Sequence, residues 1–313
     1  MPTQSQIAEE MYPPESETRE LGTLKRKTAH PRFPMPNNRL SVIIPTLNNA
    51  ATLPTLLQSL KYQTRQPDEV IVVDNHSSDG TIDIAREAGA RVLVGGPERS
   101  AQRNLGANQS SSDGLLFVDS DMTLTPGVVA SCVKGLECND ALILREITLC
   151  GEDIWGKARA FEKSRYYGSL YFEAARCLKR SVFELIGGYD VRLTGTEDID
   201  LQAKLIEGAY KIGWVPQALL HHEEEVGILT YLRKRAYYSL TDRLYSESHP
   251  QLWLIQKSWI RRIKAILSHD SCLPHPPSVA VLLALFVQRA LEYGLRRVGS
   301  LGTRSRTSQT WNR

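Results

Sequence analysis

Four short apolar runs, each followed by a polar turn and then by residues at helical spacing, constrain this chain more than any other feature. They are Leu40 to Ile44, Glu69 to Val73, Arg91 to Val94 and Leu115 to Val118. Each is shorter than a stable helix and is apolar at nearly every position, which is how a strand buried on both faces reads. Between them Leu53, Leu56, Leu57 and Leu60 recur with a helical period, a second helical segment stops at Gly89, and Arg99 to Gln109 forms a third. Strand and helix alternating through short connections predict an α/β fold with a parallel, right-handed, Rossmann-like doubly wound sheet.

The strand ends carry the chemistry. The first run stops at Pro45 and leads into Thr46-Leu47-Asn48-Asn49. The second ends in Asp74-Asn75, and the fourth in Asp119-Ser120-Asp121. Open α/β sheets bind ligands beyond the carboxyl ends of their strands. Two carboxylates one residue apart repel, so a cation beside them is expected. A hard divalent ion shared with a substrate diphosphate meets that need. Asp-x-Asp alone is a weak signal, because Asp is common in turns for local hydrogen-bonding reasons. No GxGxxG follows the first strand and no GxxxxGK[ST] occurs, which disfavours dinucleotide-binding and P-loop readings.

The next segment is less regular. Residues 145–153 read as strand then loop, and 154–178 as helix-prone and rich in aromatics that serve mainly as packing, with a minority able to line a sugar groove. Further on, Thr196 is placed to cap a helix whose first turn holds Glu197, Asp198 and Asp200. Acids there suit the helix dipole, but three in four positions exceed what a cap requires. A strand within residues 210–220 runs up to His221-His222. That pair is either a surface turn or, beside an acidic metal site, a source of a nitrogen ligand.

Composition adds organisation. With 313 residues, 42% hydrophobic and 23% charged, the chain can bury a large core, and its net charge of +3 implies no nucleic-acid partner. From Val226 onward there are 14 Lys+Arg against 4 Asp+Glu, leaving 24 basic and 31 acidic residues in the remainder. The expected layout is a disordered arm over 1–38, a sheet domain over 39–225 and a basic, amphipathic helical region over 226–313. That last region suits either an anionic membrane surface or a cap docked on the sheet domain. Five scattered cysteines without a CxxC argue against a zinc site and for a reducing compartment. The N-terminus shows no signal-peptide core, and the longest uncharged apolar stretch, 278–287, is too short to cross a bilayer. The expected location is cytoplasmic, with peripheral membrane contact.

Taken in order, Ser41 to Asn48, Val72 to Thr81, Arg103 to Ala107, Asp119-Ser120-Asp121 and Glu197-Asp198-Ile199-Asp200 resemble the motifs of family 2 glycosyltransferases, inverting enzymes of the GT-A fold. The resemblance runs from about Leu40 to His222. It implies that Asp74 and Asn75 close the strand meeting the nucleotide base, that Pro45 and Thr46 flank base and ribose, and that Asn48 and Glu197 join the nucleotide-sugar contacts. Arg103 would reach the nucleotide, and Asp119 its ribose. Asp121, with His221 (or His222), would hold Mn²⁺ or Mg²⁺, and Asp198 would be the general base. Asn75 stands where the family commonly has a second Asp. Because Asn can donate as well as accept, this loosens any expectation of uracil. The implied reaction moves a sugar from a nucleotide diphosphate sugar to an acceptor hydroxyl, on a glycan or a lipid-linked molecule. Two rival readings are a sugar-phosphate nucleotidylyltransferase and a non-catalytic nucleotide-sugar-binding scaffold. The first lacks its glycine-rich basic loop after the first strand. The second is disfavoured by Asp119, Asp121 and Asp198.

Overall fold

The four apolar runs are neighbouring strands. In the computed structural model, which describes residues 33–223, 227–267 and 277–302, β1 (Leu40–Thr46), β2 (Glu69–Asp74), β3 (Arg91–Val94) and β4 (Gly114–Phe117) are parallel, in spatial order β3-β2-β1-β4. The chain therefore builds outward from β1 on one side and then reverses to add β4 on the other, which opens a crevice at their carboxyl ends. Helices α1 (Leu53–Lys61) and α2 (Thr81–Glu87) contribute to the core on one face of this sheet, and α3 (Arg99–Gln109) to the core on the other.

The second half extends the sheet with mixed polarity. β5 (Met122–Leu124), α4 (Val128–Cys138), β6 (Ala141–Cys150), α5 (Ile154–Ser164), β7 (Ala175–Lys179), α6 (Arg180–Leu185), α7 (Glu197–Glu207) and β8 (Ile212–Glu223) follow in order. The eight-stranded sheet reads β3-β2-β1-β4-β7-β6-β8-β5, with β7 antiparallel to both β4 and β6, β8 parallel to β6, and β5 antiparallel to β8.

Three local expectations change. The helix-prone span of 154–178 is a helix only to Ser164; the chain turns at Gly168, whose φ of +84° is open to glycine, and Ala175–Lys179 is a strand inserted between β4 and β6. The His221-His222 pair lies inside β8, because the strand continues past Leu220 to pair with β5, Met122 opposite His221. Opposite the register shift at Leu144/Arg145, Pro216 and Gln217 bulge out of the ladder, so a proline is tolerated mid-strand. Finally, within the expected helical region over 226–313, residues 253–267 do not form one helix: α10 (Pro250–Lys257) and α11 (Trp259–Leu267) are broken at an extended Ser258.

Most of the expected N-terminal arm, residues 1–32, lies outside the described residues. From Phe33 the chain packs on the body, Phe33 against Tyr210 and Met35 against the sheet core. The C-terminal region is helical: α8 (Ile228–Tyr238), α9 (Asp242–Ser248), α10, α11 and α12 (Val279–Gly302). Tyr245 and Leu252 are buried in the same core as Leu201 and Leu205 of α7. One face of α12 docks, with Ala284 and Leu285 against Ala158 and Phe161 of α5, and Arg289 paired to Glu162. Its other face, with Val279, Leu283, Phe286 and Leu291, is exposed and apolar. No helix among the described residues is long and apolar enough to cross a membrane.

Candidate active site

The carboxyl ends of β1 and β2 are tied together by side chains. Thr46 Oγ1 donates to Asp74 Oδ2 at 3.0 Å, and Asn75 N donates to the Thr46 carbonyl at 2.9 Å. Asp74 is fully buried and also accepts from Ser77 N at 2.7 Å and Ser77 Oγ at 2.5 Å. Its two oxygens are thus committed to Thr46 and Ser77, while Asn75 Nδ2 donates to the Pro97 carbonyl at 3.2 Å. Pro45 sits in the buried end of β1. Asn48 occupies the left-handed region (φ +53°), which Asn tolerates. Its Oδ1 accepts from Ser78 N at 2.9 Å, stapling the first loop to the second.

Helix α3 brings the central cation. A Cβ added at Gly106 would stand 2.5 Å from Ile43 Cγ2 and 3.1 Å from Val73 Cγ2, so only glycine lets α3 lie this close to β1 and β2. Gln102 fixes its height by donating from Nε2 to the carbonyls of Thr46 (2.8 Å) and Val73 (2.7 Å). One turn before Gly106, on the same face, Arg103 is fully buried at the lip of the sheet. A buried guanidinium must be paired. Here Nη2 donates to Asp119 Oδ1 at 2.6 Å and Nη1 to Asp198 Oδ1 at 3.0 Å, with Tyr189 beneath, its ring centroid 5.1 Å away.

The three acids at the start of α7 each meet a partner from elsewhere. Glu197 Oε1 pairs with Arg99 at 3.0 Å, Asp198 with Arg103, and Asp200 with His249 Nε2 at 2.9 Å and Lys204 at 2.8 Å. Thr196 holds the N-cap position but makes no capping side-chain hydrogen bond; its hydroxyl faces Thr241, 3.5 Å away. Burial and the neighbouring Asp198 raise the Glu197 carboxyl above its ordinary range, against Arg99 and Arg103. Glu197 Oε2 and Arg103 Nε are both buried without a hydrogen-bond partner among the described residues.

Residues not singled out from the sequence complete the site. Arg176 on β7 donates to Asp119 Oδ2 at 3.2 Å and to Glu146 Oε2 at 3.1 Å, and Lys163 of α5 donates to Glu146 Oε1 at 3.2 Å. A charged residue between Ala175 and Cys177 was the available signal, visible only once 175–179 is known to be a buried strand. Burial alone would raise the Asp119 carboxyl, yet Arg103, Arg176 and Arg99 hold it well below the usual carboxylate range. Glu146 is likewise held low, despite burial, by Arg176, Lys163 and His221.

His221 sits between two acids, with Nδ1 2.9 Å from Glu146 Oε1 and Nε2 3.2 Å from Asp121 Oδ2. Burial opposes its charge, but the bonds to Asp121 and Glu146 outweigh that and push the imidazolium up to about 9. His222 points the other way, to Thr123 Oγ1 at 3.0 Å, as alternation along a strand requires. Asp121 and His221 stand side by side at the open edge, and a metal bound there would displace the Nε2 proton that now meets Asp121, leaving one oxygen and one nitrogen as donors. Among the described residues no group of three or more His, Cys, Asp or Glu side chains forms a closed metal cage. Two protein donors suit a Mn²⁺ or Mg²⁺ ion that takes its other ligands from substrate phosphates and water, so the donor set fits the expected metal. A hollow of about 430 Å³ lies at the amino ends of β2 and β3, near Pro67, Val70 and Arg91, and contains none of these groups.

With this geometry in view, residues 41–193 match the family model described as Glycosyl transferase family 2. Residues 41–193 form a glycosyltransferase family 2 domain. The chain is 26% identical over 207 residues to the O-antigen chain rhamnosyltransferase RfbN of Salmonella typhimurium, covering 59% of this chain and 66% of that one. It is 29% identical over 252 residues to the pre-mycofactocin glycosyltransferase of Mycobacterium tuberculosis, covering 72% and 52%. The chain thus spans about half to two thirds of the length of these relatives. Among solved structures, the mannosyltransferase PcManGT of Pyrobaculum calidifontis, determined with GDP-Man and Mn²⁺, superposes with a TM-score of 0.59 at 18% identity, over 93% of this chain and 96% of that one. The family 2 domain accordingly has the GT-A architecture, α/β with a mixed, mainly parallel sheet and C-terminal helices.

Proposed function

We propose that this chain transfers a sugar from a nucleotide diphosphate sugar to an acceptor hydroxyl, with inversion at the anomeric carbon. The observation that carries the reading is Arg103, buried at the sheet edge with one nitrogen on Asp119 and another on Asp198. This bridge ties the donor-side acid to an acid on α7, across the crevice between β1 and β4.

A single displacement needs an acceptor oxygen opposite the leaving diphosphate and a group to take its proton. Sugar hydroxyls are too weakly acidic to ionise unaided. Asp198, whose side chain is part-exposed while Arg103 fixes its Oδ1, is the base in this reading. The acceptor oxygen bonds to the anomeric carbon as the bond to the diphosphate oxygen breaks, and the hydroxyl proton passes to Asp198. Asp119 orients the ribose, and the stapled loops at Thr46, Asn48, Asp74 and Asn75 receive the base. Arg99 and Arg103 contribute positive charge near the departing diphosphate, and Glu197 anchors Arg99. Asp121 and His221 would hold Mn²⁺ or Mg²⁺, which when bound supplies Lewis-acid neutralisation of the leaving group. The nucleotide-sugar and Mn²⁺ complex of PcManGT supports this class of donor and metal.

The test is incubation of the full chain with a panel of nucleotide sugars and Mn²⁺, following nucleoside diphosphate release and the anomeric configuration of the product by NMR. Release with inverted configuration is expected. Pyrophosphate release from a nucleoside triphosphate plus sugar phosphate would instead establish the nucleotidylyltransferase reading.

A further inference from the structure

We infer that Tyr238, on a helix beyond the matched residues 41–193, is a positioning residue of the donor site: it holds Arg99 so that the outer edge of the guanidinium meets the phosphates of the nucleotide. This deepens the transfer reading above and rests on it.

Arg99 opens α3, one turn before Arg103 and on the same side of the helix. Its Nη2 pairs with Glu197 Oε1 at 3.0 Å and donates to the Tyr238 hydroxyl at 3.4 Å. The Tyr238 ring lies against the guanidinium, its centroid 5.5 Å from Cζ, within the range of a cation–π contact. Both polar contacts use the same nitrogen, and 40% of the side chain stays exposed. The outer edge of the fork therefore faces solvent. Paired N–H groups on that edge match the oxygens of a phosphate. An arginine already held by a carboxylate and a ring also loses less freedom when it takes up an anion.

The ring is itself held in place. Tyr238 ends α8, and a Cβ added at Gly195, whose φ is +79°, would overlap its Cβ and Cγ. Glycine is thus what lets the ring lie against the loop that leads into Glu197 and Asp198. Just beyond, Thr241 Oγ1 accepts from Thr194 N at 3.2 Å and donates to the Thr194 carbonyl at 2.9 Å. On the other side Tyr237 donates from its hydroxyl to Glu98 Oε1 at 3.1 Å. The end of α8 is fastened both to the residue before Arg99 and to the segment before Glu197, the arginine's partner. Lys234 also approaches the ring, with Nζ 5.8 Å from its centroid, but from one turn back on α8, so it ties no other element to it.

The experiment measures binding of uridine, UDP, guanosine and GDP to the full chain by competition calorimetry, with Mn²⁺ throughout, and takes the preference for each diphosphate over its nucleoside. Tyr238→Leu is expected to lower that preference about tenfold, the scale of one hydrogen bond to a charged group. Tyr238→Phe, which keeps the ring, is expected to lower it by less than about twofold. In an Arg99→Ala background Tyr238→Leu is expected to change nothing further, because its effect passes through the arginine. Tyr238→pentafluorophenylalanine keeps the ring's shape while weakening the pull of its face on a cation. It is expected to act as leucine does, and it decides the matter if Tyr238→Leu fails to fold. An unchanged preference in these variants overturns the inference. So does a loss shared equally by nucleoside and diphosphate, which a merely structural ring would give, or an undiminished effect in the Arg99→Ala background. No binding of either diphosphate by the unaltered chain would remove the transfer reading and this inference together, whereas binding that the variants leave untouched removes only the inference.

Discussion

Arg103 and Asp198 are 95 residues apart in sequence and 3.0 Å apart in space. The contact joins α3 to the first turn of α7, and the same guanidinium reaches Asp119 at 2.6 Å. A cation with no exposure, shared by two acids, is held by a balance in which every member matters. Removing one partner of a buried pair costs more than the pair contributes net, because the remaining charge stays desolvated. Arg103→Met is therefore expected to lower unfolding stability by roughly 2–4 kcal/mol, discounted for the partial exposure of both acids. Urea denaturation checks this, and Asp119→Asn in the same chain should recover part of the loss.

Gly106 sets where that guanidinium sits. A methyl at this position would overlap Ile43 Cγ2 at 2.5 Å. Gly106→Ala should cost about 1–3 kcal/mol through overpacking. By lifting α3 off β1 it should also weaken nucleoside diphosphate binding. Thermal melts and calorimetry on one preparation read both effects.

His249 links the C-terminal helices to α7, between Asp200 at 2.9 Å and Glu207 at 2.9 Å. Burial disfavours its charge, but Asp200 and Glu207 prevail and raise it above the ordinary 6.5. A histidine raised on folding contributes stability that is fully present below 6.5 and is lost as pH rises through the folded value. Unfolding free energy measured from pH 6 upward should fall accordingly, and His249→Gln should remove that portion of the slope.

The proposed metal site at Asp121 and His221 predicts metal dependence. Chelation with EDTA should suppress donor turnover, with recovery on adding Mn²⁺. His221→Ala should weaken Mn²⁺ binding by about tenfold or more, read by electron paramagnetic resonance of the free ion. The Thr123-facing His222→Ala should leave it nearly unchanged.

Much of this arrangement is legible in the sequence because strand ends announce themselves. Asp74, Asp119 and Asp121 each follow an apolar run, and Glu197 and Asp198 open a helix with more acid than its dipole uses. What escapes is pairing across the sheet. Arg176 and Glu146 become site residues only because β7 inserts between β4 and β6 and runs antiparallel to both. Nothing local in Ala175-Arg176-Cys177 specifies that insertion. The strand that carries the histidines runs past residue 220 for a similar reason, since β8 is prolonged by pairing with the three-residue β5. The region after 227 shows the limit of periodicity. Its amphipathic pattern is compatible with docking and with an exposed apolar face, and α12 has both.

The most direct test of the central claim is Asp198→Asn, assayed for sugar transfer and for nucleotide-sugar binding on the same preparation. The account predicts turnover reduced by about 10²–10⁴-fold, the range a lost general base gives, with donor affinity changed only slightly. Turnover within a few-fold of the unaltered chain, or a loss explained wholly by donor affinity, would contradict it.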